Sequence, residues 1–148
     1  MNEEKYAIID YLEIYYYDFI SEGPKGKIRK VVSFRLIEES PSKVYNLAFG
    51  DWDESKNDID YEANSNNDDM RKILSTVGEA VIEFTQQHPD VWVFIQGSTS
   101  SRTRLYQMGI GIFWQEIDPQ FIVLGNVDGD WEPFRKGINY ISFLIRHK

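Results

Sequence analysis

Val91-Trp92-Val93-Phe94-Ile95-Gln96-Gly97-Ser98-Thr99-Ser100-Ser101-Arg102-Thr103-Arg104-Leu105-Tyr106 is the stretch from which the fold is read. Its first five residues are apolar and do not alternate with polar ones. A strand covered on both faces has that composition, which predicts a central place in the sheet. Small hydroxyl-bearing residues follow, and Ser100 or Ser101 can cap a helix. Leu105, Met108, Ile112 and Phe113 then supply an apolar stripe, Gly109 and Gly111 weaken it, and Asp118-Pro119 stops it. A strand that passes into a helix through Gly-Ser-Thr offers free backbone N–H groups and the positive end of the helix dipole to an anion.

Working outward, Met70, Ile73, Leu74, Val77, Val81 and Phe84 recur at three and four residues, the signature of an amphipathic helix. Asn67 or Asp68 can cap it, Gly78 would allow close approach to a sheet, and His88-Pro89-Asp90 ends it. Further back, Ile14–Ile20 has strand composition and Glu22-Gly23-Pro24-Lys25-Gly26 is a turn. From Ile28 to Ile37, Ile28, Val32, Phe34 and Leu36 face one side and Arg29, Ser33 and Arg35 the other, with Lys30 interrupting the apolar side. Val44–Phe49 is a third strand with Tyr45, Leu47 and Phe49 on one face. Residues 51–67 read as polar and mostly irregular, too long for a simple connection. Downstream, Phe121–Leu124 is a strand and Asp128-Gly129 a hairpin turn. Pro133 and Gly137 delay the partner strand to Gly137–Arg146.

These elements predict one α+β domain over residues 1–148. Its mixed β-sheet has five to six strands and two main helices in the order β-β-β-α-β-α-β-β, a ribonuclease-H-like order. Each helix joins neighbouring strands, so two right-handed crossovers are expected. The length of 148 residues suits a single domain, and 42% hydrophobic residues suffice for its core. The absence of Cys removes disulfides and thiolate chemistry, and His88 and His147 have no ligand spacing, so no metal is expected. Met1-Asn2-Glu3-Glu4-Lys5 is acidic and unlike a leader, and no apolar run reaches membrane-spanning length. A cytoplasmic protein with no membrane contact is the expectation.

The net charge of −8 argues against indiscriminate binding to nucleic acid. Between Pro24 and Leu36 stand Lys25, Lys27, Arg29, Lys30 and Arg35 without an acid, whereas Asp51 to Asp69 holds eight acids and Lys56 alone. Solvated surface explains both runs; the sharper reading is a basic hairpin whose sheet face meets a polyanion or an acidic protein partner, with an acidic loop that limits wrong partners. Tyr15, Tyr16 and Tyr17 beside that hairpin suit either strand packing or stacking of RNA bases.

Three motifs stand out: Tyr45-Asn46-Leu47-Ala48-Phe49-Gly50-Asp51, Gly97-Ser98-Thr99 with Arg102-Thr103-Arg104-Leu105-Tyr106, and Trp131-Glu132-Pro133-Phe134 with Gly137 and Tyr140. With Phe19–Gly26, Ile28, Lys30, Val31 and Ser65-Asn66-Asn67 added, the chain resembles a family of small bacterial proteins classed as a domain of unknown function. The resemblance spans nearly the whole sequence. It implies a single-domain family and carries no established activity.

The candidate ligand-binding residues are therefore Ser98, Thr99, Arg102, Arg104 and Asp51, and the expected ligand is a phosphate-bearing small molecule or nucleotide. Arg102 and Arg104 lie about 200° apart on a helix, so both reach one ligand only if the helix starts at or after Arg102. The plainer account makes the hydroxyls caps and pairs the arginines with acids such as Asp51. Asp51 suits a general base, a metal ligand or an ion pair. Asn46 and Asn67 suit ligand contacts, or a sheet amide and a helix cap. Asn126–Glu132 fails the calcium-loop pattern because Trp131 stands where glycine is needed. Asp128 and Asp130 follow Gly97-Ser98 too late for a nucleotidyltransferase. Gln96 occupies the strand end where a two-metal nuclease needs a carboxylate. Gly109-x-Gly111 ends no strand, so no dinucleotide cofactor is expected. No complete catalytic set emerges. The alternatives to anion binding are a protein-interaction or regulatory module, such as a toxin–antitoxin or defence component, and weak RNA binding by the hairpin.

Overall fold

The computed structural model describes residues 13–61, 63 and 66–148. Met1–Lys5, Glu62 of the acidic run and Ser65 of Ser65-Asn66-Asn67 lie outside the described residues. In chain order the elements are β1 (Ile14–Gly23), β2 (Gly26–Glu38), β3 (Val44–Asp53), β4 (Asp58–Asp60), α1 (Met70–Gln87) and β5 (Trp92–Ile95). Then come α2 (Ser100–Ile112), α3 (Trp114–Ile117), β6 (Phe121–Val127), β7 (Asp130–Pro133) and β8 (Phe143–His147).

Among the described residues the sheet has eight strands and three helices stand beside it, where five to six strands and two helices were expected. β4 arises inside the acidic run, which is not irregular there: β3 continues to Asp53, and Asp51 pairs with Asp60 in register. Backbone pairing needs no apolar side chains. The Asp53 carboxylate accepts the Ser55 N–H at 3.0 Å and shapes the turn. β7 follows the Asp128-Gly129 turn at once, with no delay at Pro133. That proline is the last residue of an edge strand, where a missing N–H breaks no ladder. The helix expected to run to Asp118 is divided at Phe113 into α2 and α3.

The strand order β1-β2-β3-β5-β8-β6-β7, with β4 beside β3, also replaces the ribonuclease-H-like order. β3 and β5 are parallel neighbours joined by α1, as expected. The second crossover does not join neighbours, because β8 enters between β5 and β6 and pairs antiparallel with both. The last strand is shorter than Gly137–Arg146. Residues 137–142 instead run beside α2, where Gln107 donates to the Ile138 carbonyl and accepts the Tyr140 N–H.

α1 buries Ile73, Leu74, Val77, Ala80, Val81, Phe84 and Thr85, the face its periodicity predicts. Phe84 stacks on Phe34 at 4.2 Å and meets Tyr45 at 4.9 Å, so α1 covers the β2–β3 side of the sheet. α2 buries a different face from the one expected: Thr103, Tyr106, Gly109 and Ile110 point inward, while Met108 and Ile112 are exposed. Gly109 packs against Leu74 of α1, so a residue that weakens the helix in isolation lets the two helices approach. In β2 the apolar side is buried, but Val31 and Ser33 on the other side are buried too. In β5, Trp92 and Phe94 are only half-buried. The strand is central, and its missing alternation reflects two aromatics on the sheet face opposite Val93 and Ile95.

Neither Asn67 nor Asp68 caps α1; Asp69 occupies that position and makes no side-chain cap bond. Asn67 is fully buried and holds the β1–β2 turn instead. Its carbonyl oxygen accepts the Lys25 N–H at 2.7 Å, and its amide donates to the Gly26 carbonyl at 2.9 Å and to Ser21 Oγ at 3.2 Å. Truncating it removes all three hydrogen bonds at once. Asn67→Ala is expected to lower stability by about 3 kcal/mol, read as a lower urea midpoint with an unchanged slope.

Candidate functional site

Gly97 brings the end of β5 against the start of α2. A Cβ there would lie 2.5 Å from the Thr103 nitrogen, so only glycine fits. Its N–H donates to Thr103 Oγ1 at 3.0 Å, and that hydroxyl donates to the Thr99 carbonyl at 3.2 Å. The helix cap is Thr99, not Ser100 or Ser101, with its Oγ1 accepting the Arg102 N–H at 3.2 Å. The first helical bond runs from Thr103 N–H to the Thr99 carbonyl at 3.1 Å. The Ser100 and Ser101 N–H groups precede it and point out of the helix end.

Arg102 turns its guanidinium toward the sheet. Nη1 donates to the Phe49 carbonyl at 3.0 Å and to the Tyr61 carbonyl at 2.6 Å, and Nη2 donates to the Ala63 carbonyl at 2.5 Å. These bonds tie α2 to the end of β3 and to the chain after β4. Among the described residues no carboxylate neutralises this guanidinium. Three of its five N–H donors are used, and its positive charge remains.

Lys30 and Asp51 face each other across β2 and β3, and Nζ meets Oδ1 at 2.5 Å. The lysine side chain is only 4% exposed and the aspartate 15%. Asp51 is therefore an ion-pair partner of Lys30 and not of either arginine. The interruption in the apolar face of β2 is this buried cation.

A cavity of about 300 Å³ opens beside these groups, lined by Lys30, Phe49, Ser98, Thr99, Ser101 and Arg102 on one side. Met70, Leu74, Val77, Leu105 and Tyr106 form its apolar wall. Of the sequence candidates, Ser98, Thr99 and Arg102 come together here, and Asp51 stands behind Lys30. Arg104 does not join them. α2 starts at Ser100, before Arg102, and Arg104 lies in a separate surface groove with Lys136 and Asn139. Asn46 sits on the opposite face, paired in register with Arg35 and Phe94.

Lys30 and Tyr106 also line the cavity and were not among the sequence candidates. Lys30 announced itself only as a polar interruption. Tyr106 lies one turn after Arg102, in the same Arg-Thr-Arg-Leu-Tyr run, and stands there only as part of the motif. It is 8% exposed, burial pushes its phenol up to about 12 against an opposing effect of Arg102, and no hydrogen bond contributes to that shift. Helical side chains lean toward the preceding turn, which directs this hydroxyl toward Arg102. The phenol stays protonated at neutral pH and is a donor without an acceptor among the described residues. No group of three His, Asp or Glu side chains gathers among those residues to hold a metal. No helix among them is long and apolar enough to cross a membrane.

The basic hairpin is less uniform than its sequence. Lys27 pairs with Glu22 at 3.7 Å, and Arg29 pairs with Asp18 at 2.9 Å and lies over the Trp52 ring. Lys30 is buried.

This geometry belongs to a class of two-layer domains in which α1 and α2 lie over a mixed sheet and a cation-lined cavity opens at the start of one helix. A family of unknown function, DUF6934, matches residues 2–148, and the chain belongs to that family. Searches of the curated proteins and of the solved structures return no match.

Two outcomes test the site's construction. Lys30→Met leaves the Asp51 carboxylate without its lysine and is expected to cost about 3–5 kcal/mol, part of which the double variant Lys30→Met with Asp51→Leu recovers in denaturant unfolding. The fold favours the neutral Tyr106 phenol, so its contribution is intact below the ordinary value of 10.0 and is lost as pH rises toward about 12. Tyr106→Phe is therefore expected to flatten the fall in urea midpoint across that alkaline window relative to the parent chain.

Proposed function

We propose that this cavity binds a small molecule through a phosphate group, with nucleotides and sugar phosphates as the candidate classes. The observation that carries the reading is the Arg102 guanidinium. It is fixed by three carbonyls, pairs with no carboxylate among the described residues, and stands at the start of α2 among hydroxyls. A phosphate placed there meets the remaining guanidinium N–H groups, the Ser100 and Ser101 N–H groups and the Ser98 hydroxyl. Thr99 accepts in its cap through Oγ1, which leaves its proton free to donate. The Tyr106 phenol supplies a further neutral donor from the apolar wall. Asp51 holds Lys30 at the rim and keeps its own negative charge occupied there. Arg104 contributes only to the wider field. The volume of about 300 Å³ lies at the lower end for small-molecule sites, which favours compact ligands.

Thermal unfolding with inorganic phosphate, adenosine monophosphate and glucose 6-phosphate tests the proposal. A ligand at 100 times its Kd adds about 2.7 kcal/mol, a rise of several degrees in Tm. The rise is expected in the parent chain and in Arg104→Ala, and is expected to vanish in Arg102→Gln. No rise with any of the three, or a rise that survives Arg102→Gln, overturns the reading.

A further inference from the structure

A second cavity of about 510 Å³ lies between α1, α2 and α3 above the sheet. Leu47, Val81, Ile95, Ile110, Phe113 and Ile145 make it predominantly apolar. Leu74, Val77 and Tyr106 line both this cavity and the smaller one at Arg102, so the two share a wall. Tyr106 stands at that junction with an unpartnered hydroxyl.

Gly78 of α1 also lines the larger cavity, yet a Cβ built on it would meet nothing within 4 Å. Packing therefore does not require glycine there. Gly78 allows no close approach to the sheet, contrary to its sequence reading. Glycine is a poor helix former, and its effect here is to leave the space open. The charges along the two cavities differ in sign. Arg102 and Lys30 stand at the smaller one, and Glu79 and Glu116 at the larger. An anionic group is attracted to the first end and repelled from the second.

Resting on the anion reading above, we infer that the two cavities form one slot for a single-chain amphiphile. The phosphate head sits at Arg102 and the start of α2, and the aliphatic chain passes Tyr106 into the space between α1 and α2. Burial of the chain against Leu74, Val77 and Ile110 supplies affinity that the head alone lacks.

Titration calorimetry on the full chain tests this with inorganic phosphate and with butyl, octyl and dodecyl phosphate, all below micelle-forming concentrations. Octanol serves as the chain without the head. Affinity is expected to rise with chain length, by up to about fourfold per buried methylene. Arg102→Gln is expected to weaken every phosphate, and octanol to bind far more weakly than octyl phosphate. Gly78→Leu fills the slot, is compatible with the helix, and is expected to abolish the gain with chain length while leaving inorganic phosphate binding unchanged. The chain-length series on the parent protein decides the matter even if that variant does not fold. Equal affinity for all the phosphates overturns the slot and leaves the anion site standing. Failure of every phosphate to bind overturns both. Octanol binding as tightly as octyl phosphate, indifferent to Arg102→Gln, overturns the oriented amphiphile.

Discussion

Three hydrogen bonds from one guanidinium determine how the functional end of this molecule is assembled. The carbonyls of Phe49, Tyr61 and Ala63 belong to the end of β3 and to the chain beyond β4, and Arg102 draws them to the first turn of α2. A lysine cannot substitute, since a point charge lacks the planar fork that places three donors at once. The contact also requires Gly97, because any side chain there would push α2 away from the strand. Backbone carbonyls satisfy these donors without cancelling the charge, as a carboxylate would.

Packing is uneven along the helical layer. Around the second half of α1, Phe84 lies among Phe34, Tyr45, Tyr15 and His88, all within 5.5 Å ring to ring. Toward α2 the inward residues are Thr103, Tyr106, Gly109 and Ile110, and Gly78 of α1 lines the open space beside them.

What could be read from the sequence follows from what each residue depends on. The α1 stripe and the β2 alternation are local periodicities, and both elements formed with those faces inward. The strand–Gly–Ser–Thr–helix passage was also legible, but its cap is Thr99 where Ser100 or Ser101 was expected. β4 and β7 were not, since three- and four-residue pairings rest on backbone bonds that leave no apolar pattern. The entry of β8 between β5 and β6 depends on contacts between distant segments, and no window of sequence holds them. Asn67 illustrates the same limit: its position suggested a cap, and its role lies in a turn some forty residues away. In the site, Arg102 was identified by type and place, but its carbonyl partners, the Lys30–Asp51 pair and the open phenol of Tyr106 are products of the assembled sheet.

The net charge of −8 and a phosphate site are compatible because they act over different distances. At physiological ionic strength the Debye length is about 8 Å, so the acidic surface slows the approach of anions without setting the energy of one already bound. Inside the cavity the relevant charges are Arg102 and the ion-paired Lys30, both partly or fully withdrawn from water. Attraction at contact grows as water is excluded, and repulsion from the surface acids is screened. On the proposed reading, a ligand that offers charge alone gains nothing from the long-range field, and one that adds apolar burial next to the anion gains more. The neutral phenol of Tyr106 and the open space facing Gly78 lie on that path, where a purely polar ligand would have no use for either.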